Sequence, residues 1–149
     1  MGSKESETPG NSTGKQTATE TEKKNKKETD QKRKKLSENF YQDEFACKCG
    51  CGDDKVERRL VSLLQDCREE FGFPMRLTSS KRCAEHNRAV GGVEHSAHLY
   101  GYASDIYCKD PHLRYRLLPI LFSKFKRIGV YEDFFHVDVD HMKPNPVCW

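Results

Sequence analysis

The composition of the chain changes abruptly near residue 36, and this break limits which part can fold. In the first 36 of its 149 residues only Met1, Ala18 and Leu36 are clearly apolar, and none is aromatic. Such a segment cannot bury enough apolar surface to offset the entropy that ordering would cost. We therefore predict a disordered tail at residues 1–36 and one folded domain at residues 37–149, a usual length for a single domain.

The charge follows the same division. Residues 1–36 contain 10 basic and 6 acidic residues, whereas the rest of the chain contains 16 basic and 17 acidic residues. The folded part is thus nearly neutral, which disfavours a compact nucleic-acid-binding domain. The Lys-rich stretch at residues 23–35 is most simply a solvated linker, and the alternative is a tether to a polyanion such as cell-wall polymer, nucleic acid or a lipid surface.

Hydrophobic spacing predicts two long helices in the folded part. The first follows Asp53 and Asp54, which are suitable N-caps, and stops at Gly72. The second opens at Asp110 and is expected to end at Gly129.

Strand-like segments alternate with these helices. Residues 75–80, 102–108 and 134–139 have strand character, and a short helix is expected to end near residues 91–92. The mixture predicts an α+β fold with a small, mostly antiparallel sheet flanked by helices.

Two His and one Asp occur in segments where core packing does not explain them. A single His on an apolar strand is usually a hydrogen-bonded core residue. His98, Asp105 and His136, however, each lie among small or apolar residues. Zinc hydrolases use three protein ligands of this kind and leave the fourth position for water. The combination shifts the balance from hydrogen-bonded core residues toward metal ligands.

The spacing of these residues is compatible with one site if the chain turns before the strand. His98 and Asp105 are seven residues apart, and on one unbroken strand they would lie on opposite faces. A turn at Gly101, where glycine permits a positive φ, would place His98 on the preceding loop and Asp105 within the strand. On the last strand, His136 and Asp138 share one face.

The cysteines allow two interpretations. Without a visible secretory signal, a disulfide framework is not expected. Cys47, Cys49 and Cys51 form a Cys-x-Cys-x-Cys run. Packed or free thiols are the favoured interpretation. The alternative is a structural zinc held by these three thiolates and one distant cysteine, although the spacing is tighter than in most zinc knuckles.

The motifs around these residues occur in a specific order. They are the run at residues 78–92, then Ser96-x-His98-x-x-Gly101-x-Ala103-x-Asp105, then Phe135-His136-Val137-Asp138-Val139. Over residues 39–149 the chain resembles the zinc D-Ala-D-Ala carboxypeptidase family. That family shares its fold with vancomycin-resistance dipeptidases, phage L-alanyl-D-glutamate endolysins and the Hedgehog signalling domain.

The resemblance implies roles for four residues. His98, Asp105 and His136 would be the three ligands of Zn²⁺. Arg82 would hold the substrate carboxylate or polarise the scissile carbonyl, since a guanidinium offers two parallel donors. A surface ion pair is the alternative for Arg82.

The resemblance also implies a general base, and here the choice lies between neighbouring carboxylates. Many relatives carry an acidic residue three positions before the last ligand, which in this chain is Asp133. That assignment requires the strand to start or twist near Phe134. Glu132 is the more usual amino acid but is one place off. Asp138 could instead orient the ligand His136.

The resemblance implies a zinc-dependent peptidase that acts on peptidoglycan stem peptides, as a D-Ala-D-Ala carboxypeptidase or an endolysin-type endopeptidase. The sequence contains no run of 18 apolar residues, so no transmembrane helix is predicted. The first residues also lack the apolar h-region of a secretory signal peptide. We expect a monomer that acts at the cell wall or in the periplasm, as a phage or prophage product or through another export route. The alternative is a non-catalytic, zinc-containing binding module of the Hedgehog type, in which no carboxylate reaches the attacking water.

Overall fold

The computed structural model describes residues 33–149, so the first 32 residues of the predicted tail and most of the Lys-rich stretch lie outside the described part. The helices are α1 (Gln42–Phe45), α2 (Arg58–Phe71), α3 (Ala84–Ala89) and α4 (Pro111–Lys124). The strands are β1 (Arg76–Ser79), β2 (Ala103–Tyr107), β3 (Arg127–Val130), β4 (Phe134–Asp138) and β5 (Val147–Cys148). One turn of 3₁₀ helix, Ala97–Tyr100, precedes β2.

The five strands form one sheet in the order β1–β2–β4–β3–β5. All neighbouring pairs are antiparallel except β3 and β5, which are parallel. The predicted α+β class with a mostly antiparallel sheet is therefore confirmed. The three predicted strands correspond to β1, β2 and β4 within one residue at each end, whereas β3 and β5 were not predicted.

Helices α2 and α4 pack against one face of this sheet. Both helices and three strands contribute fully buried side chains to this core: Leu60, Leu64, Cys67, Ile106, Leu117, Leu121, Ile128, Phe135 and Val137; Phe40 and Phe45 from the start of the fold complete it. Because side chains alternate along a strand, the burial of Phe135 and Val137 directs His136 and Asp138 to the opposite face of β4. Leu36 also packs against the core, and the compact unit begins at Lys34, three residues before the predicted start. No helix in residues 33–149 combines the length and apolar character that crossing a membrane requires.

Helix α2 begins later than the sequence indicated, and the two predicted N-caps do not cap it. The N-cap is Glu57, whose carboxylate accepts a hydrogen bond from the backbone N–H of Arg59 at 3.3 Å. Asp53 instead pairs with the amine of Lys81 at 3.1 Å. The carboxylate that resembled a helix signal is thus used in a tertiary contact between distant segments.

Helix α4 ends before the predicted Gly129. Phe125, its C-cap, already has an extended backbone, and Gly129 lies in β3. A Cβ atom at Gly129 would approach the Tyr131 ring to 2.8 Å and the Trp149 ring to 3.0 Å. The glycine therefore serves the packing of two aromatic rings on the sheet rather than the end of a helix.

Gly101 ends the 3₁₀ turn with a φ of 73°, as the sequence predicted. A Cβ atom at this position would overlap the carbonyl oxygen of Lys55. The turn therefore needs glycine for its backbone conformation and also for the close approach of a neighbouring segment.

We expect Gly101→Ala to lower the free energy of unfolding more than Gly72→Ala does. Gly72 ends α2 with a similar φ of 76°, but it has open space around its Cβ position. Both variants should lose about 1–2 kcal/mol through the left-handed backbone. Gly101→Ala should lose about 1–3 kcal/mol more through overlap. Urea denaturation measures both values, and equal losses would contradict the close approach at Gly101.

Candidate functional site

Three side chains converge where β2 pairs with β4. The register places Asp105 directly opposite His136, and the turn at Gly101 returns His98 to the same point. His98 Nε2 lies 3.2 Å from Asp105 Oδ1, and His136 Nδ1 lies 2.9 Å from the same oxygen. The two ring nitrogens are 3.3 Å apart. The sequence-predicted ligand set is thus brought together within one small volume.

The spacing of these donor atoms suits a zinc ion. Zinc bonds of about 2.0–2.2 Å in a tetrahedral arrangement place neighbouring ligand atoms about 3.3–3.6 Å apart. The three atoms here are separated by 2.9, 3.2 and 3.3 Å. Two imidazole nitrogens and one carboxylate oxygen are also the donor types of hydrolytic zinc sites. The cluster can therefore hold a metal ion with only small adjustments.

Each His has a second partner that fixes its ring. His98 Nδ1 donates to the carbonyl oxygen of Ser80 at 2.5 Å, and His136 Nε2 donates to Asp138 Oδ2 at 3.1 Å. With a metal ion bound, the outer nitrogen would keep its proton, and the inner nitrogen of each ring would present its lone pair to the ion.

Arg82 contacts the cluster directly. Its Nη2 donates to Asp105 Oδ2 at 2.9 Å, and its Nε donates to Ser79 Oγ at 2.9 Å. The two oxygens of Asp105 therefore have different partners, with Oδ1 facing the imidazoles and Oδ2 facing the guanidinium. The Arg82 side chain is only 15% exposed, which does not fit a simple surface ion pair.

The carboxylates of the cluster keep their negative charge. Burial raises the pKa of Asp105, but hydrogen bonds from His136 and His98 outweigh it and hold that pKa well below its usual range. Burial likewise opposes ionisation of Asp138, and hydrogen bonds from His136 and from the backbone of Asp140 lower its pKa. Burial lowers the pKa of His136, but its bonds to Asp105 and Asp138 raise it above the ordinary value. The site is thus electrostatically suited to a cation.

Asp138 is fully engaged by its neighbours. Besides its contact with His136, its Oδ1 accepts hydrogen bonds from Arg127 Nε at 2.8 Å and from the backbone N–H of Asp140 at 3.1 Å. The carboxylate faces the outer nitrogen of His136, on the side away from the other two donors. Its contacts are those of a residue that orients the imidazole.

The structure does not bring Asp133 to the cluster. Strand β4 starts at Phe134, as that assignment required, but the Asp133 carboxylate does not join the group formed by His98, Asp105 and His136. The Asp133 carboxylate lies 3.6 Å from the amine of Lys109, and the side chain does not line the cleft described below. Glu132 does not line the cleft either. The expected role of Asp133 as general base therefore gains no support from its position.

A cleft of about 550 Å³ lies beside the cluster. Basic and aromatic side chains form much of its wall: Arg82, Arg127, Tyr131, Phe134, Lys143 and Trp149. Sequence reasoning missed four of these, namely Arg127, Tyr131, Lys143 and Trp149, because β3 and β5, which bring this part of the chain to the sheet, were not predicted. The single Trp of the chain was the available signal. Its ring centroid lies 5.5 Å from that of His136.

A buried and a half-buried imidazole with one carboxylate, facing a cleft of this kind, form the arrangement of a metallopeptidase. The family model for Peptidase M15 matches residues 38–140, and the chain belongs to that family. The resemblance to zinc D-Ala-D-Ala carboxypeptidases is thus confirmed at the level of the family. A comparison with curated proteins found no match.

We expect Asp138→Asn and Asp133→Asn to differ in metal affinity. Asp138→Asn removes the negative charge that orients His136, and it should weaken zinc binding by about 10- to 100-fold. Asp133→Asn should leave zinc affinity unchanged because its carboxylate is paired with Lys109. Competition with a chromophoric chelator measures both affinities.

Turnover of the Asp133→Asn variant tests the position of the base. Asp133→Asn should keep most of its activity. If it keeps its zinc but loses a factor of about 10² to 10⁴ in rate, the usual contribution of general base catalysis, Asp133 is the base despite its position.

Proposed function

We propose that the protein is a zinc-dependent peptidase that hydrolyses peptidoglycan stem peptides, with Zn²⁺ bound by His98, Asp105 and His136. The observation that carries this proposal is the convergence of these three donors beside a cleft, in a chain of the Peptidase M15 family. When bound, the ion would polarise the scissile carbonyl and activate a water molecule.

The charge of the cleft favours a substrate that carries carboxylates. Arg127 and Lys143 line the cleft but are paired with Asp138 and Asp140. Arg82 uses two of its N–H groups on Asp105 and Ser79, so other guanidinium N–H groups are available to a ligand. We assign to Arg82 the binding of a substrate carboxylate or of the scissile carbonyl. A free carboxylate next to the scissile bond suits removal of a terminal D-Ala, and cleavage within the stem peptide is the endolysin-type alternative.

One observation favours a second function. Of the described residues that line the cleft, Asp105 and Asp138 are the only carboxylates, and both are engaged by other side chains. Neither is positioned to accept a proton from an attacking water. This arrangement also suits a non-catalytic binding module of the Hedgehog type, in which the cleft holds a ligand without cleaving it.

Digestion of purified muropeptides separates these functions. We expect zinc-loaded protein to release single alanine residues from stem peptides that end in D-Ala-D-Ala, detected by mass spectrometry. A chelator should stop the reaction, and added Zn²⁺ should restore it. Internal cleavage products would identify an endopeptidase instead. Binding of the muropeptide by fully loaded protein without any product would establish the binding module.

His98→Ala is expected to abolish both hydrolysis and zinc binding at this site, because it removes one of three ligands. His95→Ala is the matched control, since His95 lies in an exposed turn three residues earlier. The control should keep full zinc content and rate. Full hydrolysis by His98→Ala would contradict the ligand assignment.

We expect Arg82→Lys to lower kcat/KM by about 10- to 100-fold, which corresponds to the loss of a charge-assisted hydrogen bond. Lysine keeps the positive charge but lacks the paired donors of the guanidinium. Arg88→Lys is the control, because Arg88 is an exposed residue on α3. Both kinetic constants should be measured, since loss of carboxylate binding raises KM. An unchanged kcat/KM would remove Arg82 from the substrate site.

A further inference from the structure

A cluster of four cysteines has no role in the proposed peptidase site. Cys47, Cys49 and Cys51 lie between α1 and α2, in a segment that forms neither helix nor strand. Cys83 comes from a distant part of the chain, where it is the N-cap of α3. The four Sγ atoms all lie within 4.8 Å of one another.

The distances within the cluster suit one tetrahedral ion. Cys47 Sγ lies 3.3 Å from Cys49 Sγ, which lies 3.6 Å from Cys83 Sγ. Zinc–sulfur bonds of about 2.3 Å place neighbouring thiolates about 3.8 Å apart. These two separations are within about half an ångström of that value, and no pair of sulfurs exceeds it by more than about 1 Å. The four sulfurs are too close together to surround a cluster of several iron atoms.

Hydrophobic packing does not explain why these thiols converge. Cys47 is buried, but Cys49 and Cys51 are exposed and gain little from burial. Gly50 and Gly52 alternate with them and have φ values of 81° and 79°. These left-handed turns, which only glycine adopts readily, fold the segment so that successive cysteines face one point. Packed or free thiols were favoured from the sequence; packing accounts for Cys47, and free thiols at Cys49 and Cys51 would not explain why these side chains converge.

Backbone N–H groups point at two of the sulfurs. The N–H of Cys83 donates to Cys47 Sγ at 3.3 Å, and the N–H of His86 donates to Cys83 Sγ at 3.4 Å. Hydrogen bonds of this kind favour the ionised thiolate over the thiol. A cation among the four sulfurs would offset the repulsion between several thiolates.

We propose that Cys47, Cys49, Cys51 and Cys83 bind a structural Zn²⁺, separate from the ion in the cleft. Four thiolates complete the coordination of zinc and leave no position for water, which is the pattern of a structural site. The ion would join the α1–α2 segment to the start of α3. Cys83 directly follows Arg82, whose backbone N–H donates to the carbonyl oxygen of His98 at 3.0 Å. The second ion thus supports the wall of the cleft without contacting a substrate.

The metal content of single variants tests this proposal. Wild-type protein purified without chelator should contain two zinc ions per chain by mass spectrometry of the metals. Cys49→Ser and Cys51→Ser should each lose one ion, whereas Cys148→Ser should keep both. Cys148 is an exposed cysteine in β5, outside the cluster, and is the matched control. His98→Ala should lose the ion in the cleft and keep the ion at the cysteines, so each variant empties one site and leaves the other occupied.

Two measurements on wild-type protein remain decisive if a cysteine variant fails to fold. Titration with an organomercurial should release one zinc ion as four thiols react. After exchange with Co²⁺, the protein should show sulfur-to-cobalt charge-transfer absorption, and His98→Ala should keep this absorption because the cleft site has no sulfur ligand.

Several results would overturn the proposal. They are a single zinc ion that Cys49→Ser retains, rapid reaction of all four thiols with a disulfide reagent in native protein, a disulfide within the cluster, and iron in place of zinc. If the protein hydrolyses stem peptides but binds no ion at the four cysteines, the proposed function stands and the structural site is refuted. Two ions in a protein that cleaves nothing would support the structural site alone.

Discussion

The side chain of Asp105 is 9% exposed at the centre of the sheet, and an ionised carboxylate at such a position is costly unless partners compensate it. His98, His136 and Arg82 supply that compensation from three different segments. Each partner is in turn held by another group: a backbone carbonyl for His98, Asp138 for His136 and Ser79 for Arg82. The positions of the 3₁₀ turn, of β4 and of the chain after β1 therefore all depend on this one charge.

The sequence was sufficient for the parts of the site that local rules determine. Strand alternation predicted that His136 and Asp138 share a face, and the positive φ of Gly101 followed from the odd spacing of His98 and Asp105. The missed elements depend on distant packing instead. Gly129 resembled a helix end because glycine commonly ends helices. Its role in β3 depends on the Trp149 ring, 20 residues further along the chain.

Asp133 and Cys83 show the same limit at functional positions. Asp133 has the spacing of a general base and directly precedes β4, but the sequence does not show whether its carboxylate reaches His136. Cys83 lies 32 residues after Cys51, and the sequence does not identify which distant cysteine joins the run. Both questions concern tertiary proximity, which the folding of intervening segments decides.

The pairing of Asp105 with His136 also protects the sheet against misfolding. The hydrophobic alternation of β2 and β4 opposes a slip of one residue, because such a slip would expose Phe135 and Val137. It does not oppose a slip of two residues, which keeps every side chain on its face. One such slip would set Asp105 against Asp138, placing like charges opposite each other. The other would set it against Phe134 and take the His136 contact away from a desolvated carboxylate. The residues of the site therefore select the native register among pairings that the apolar pattern alone would accept.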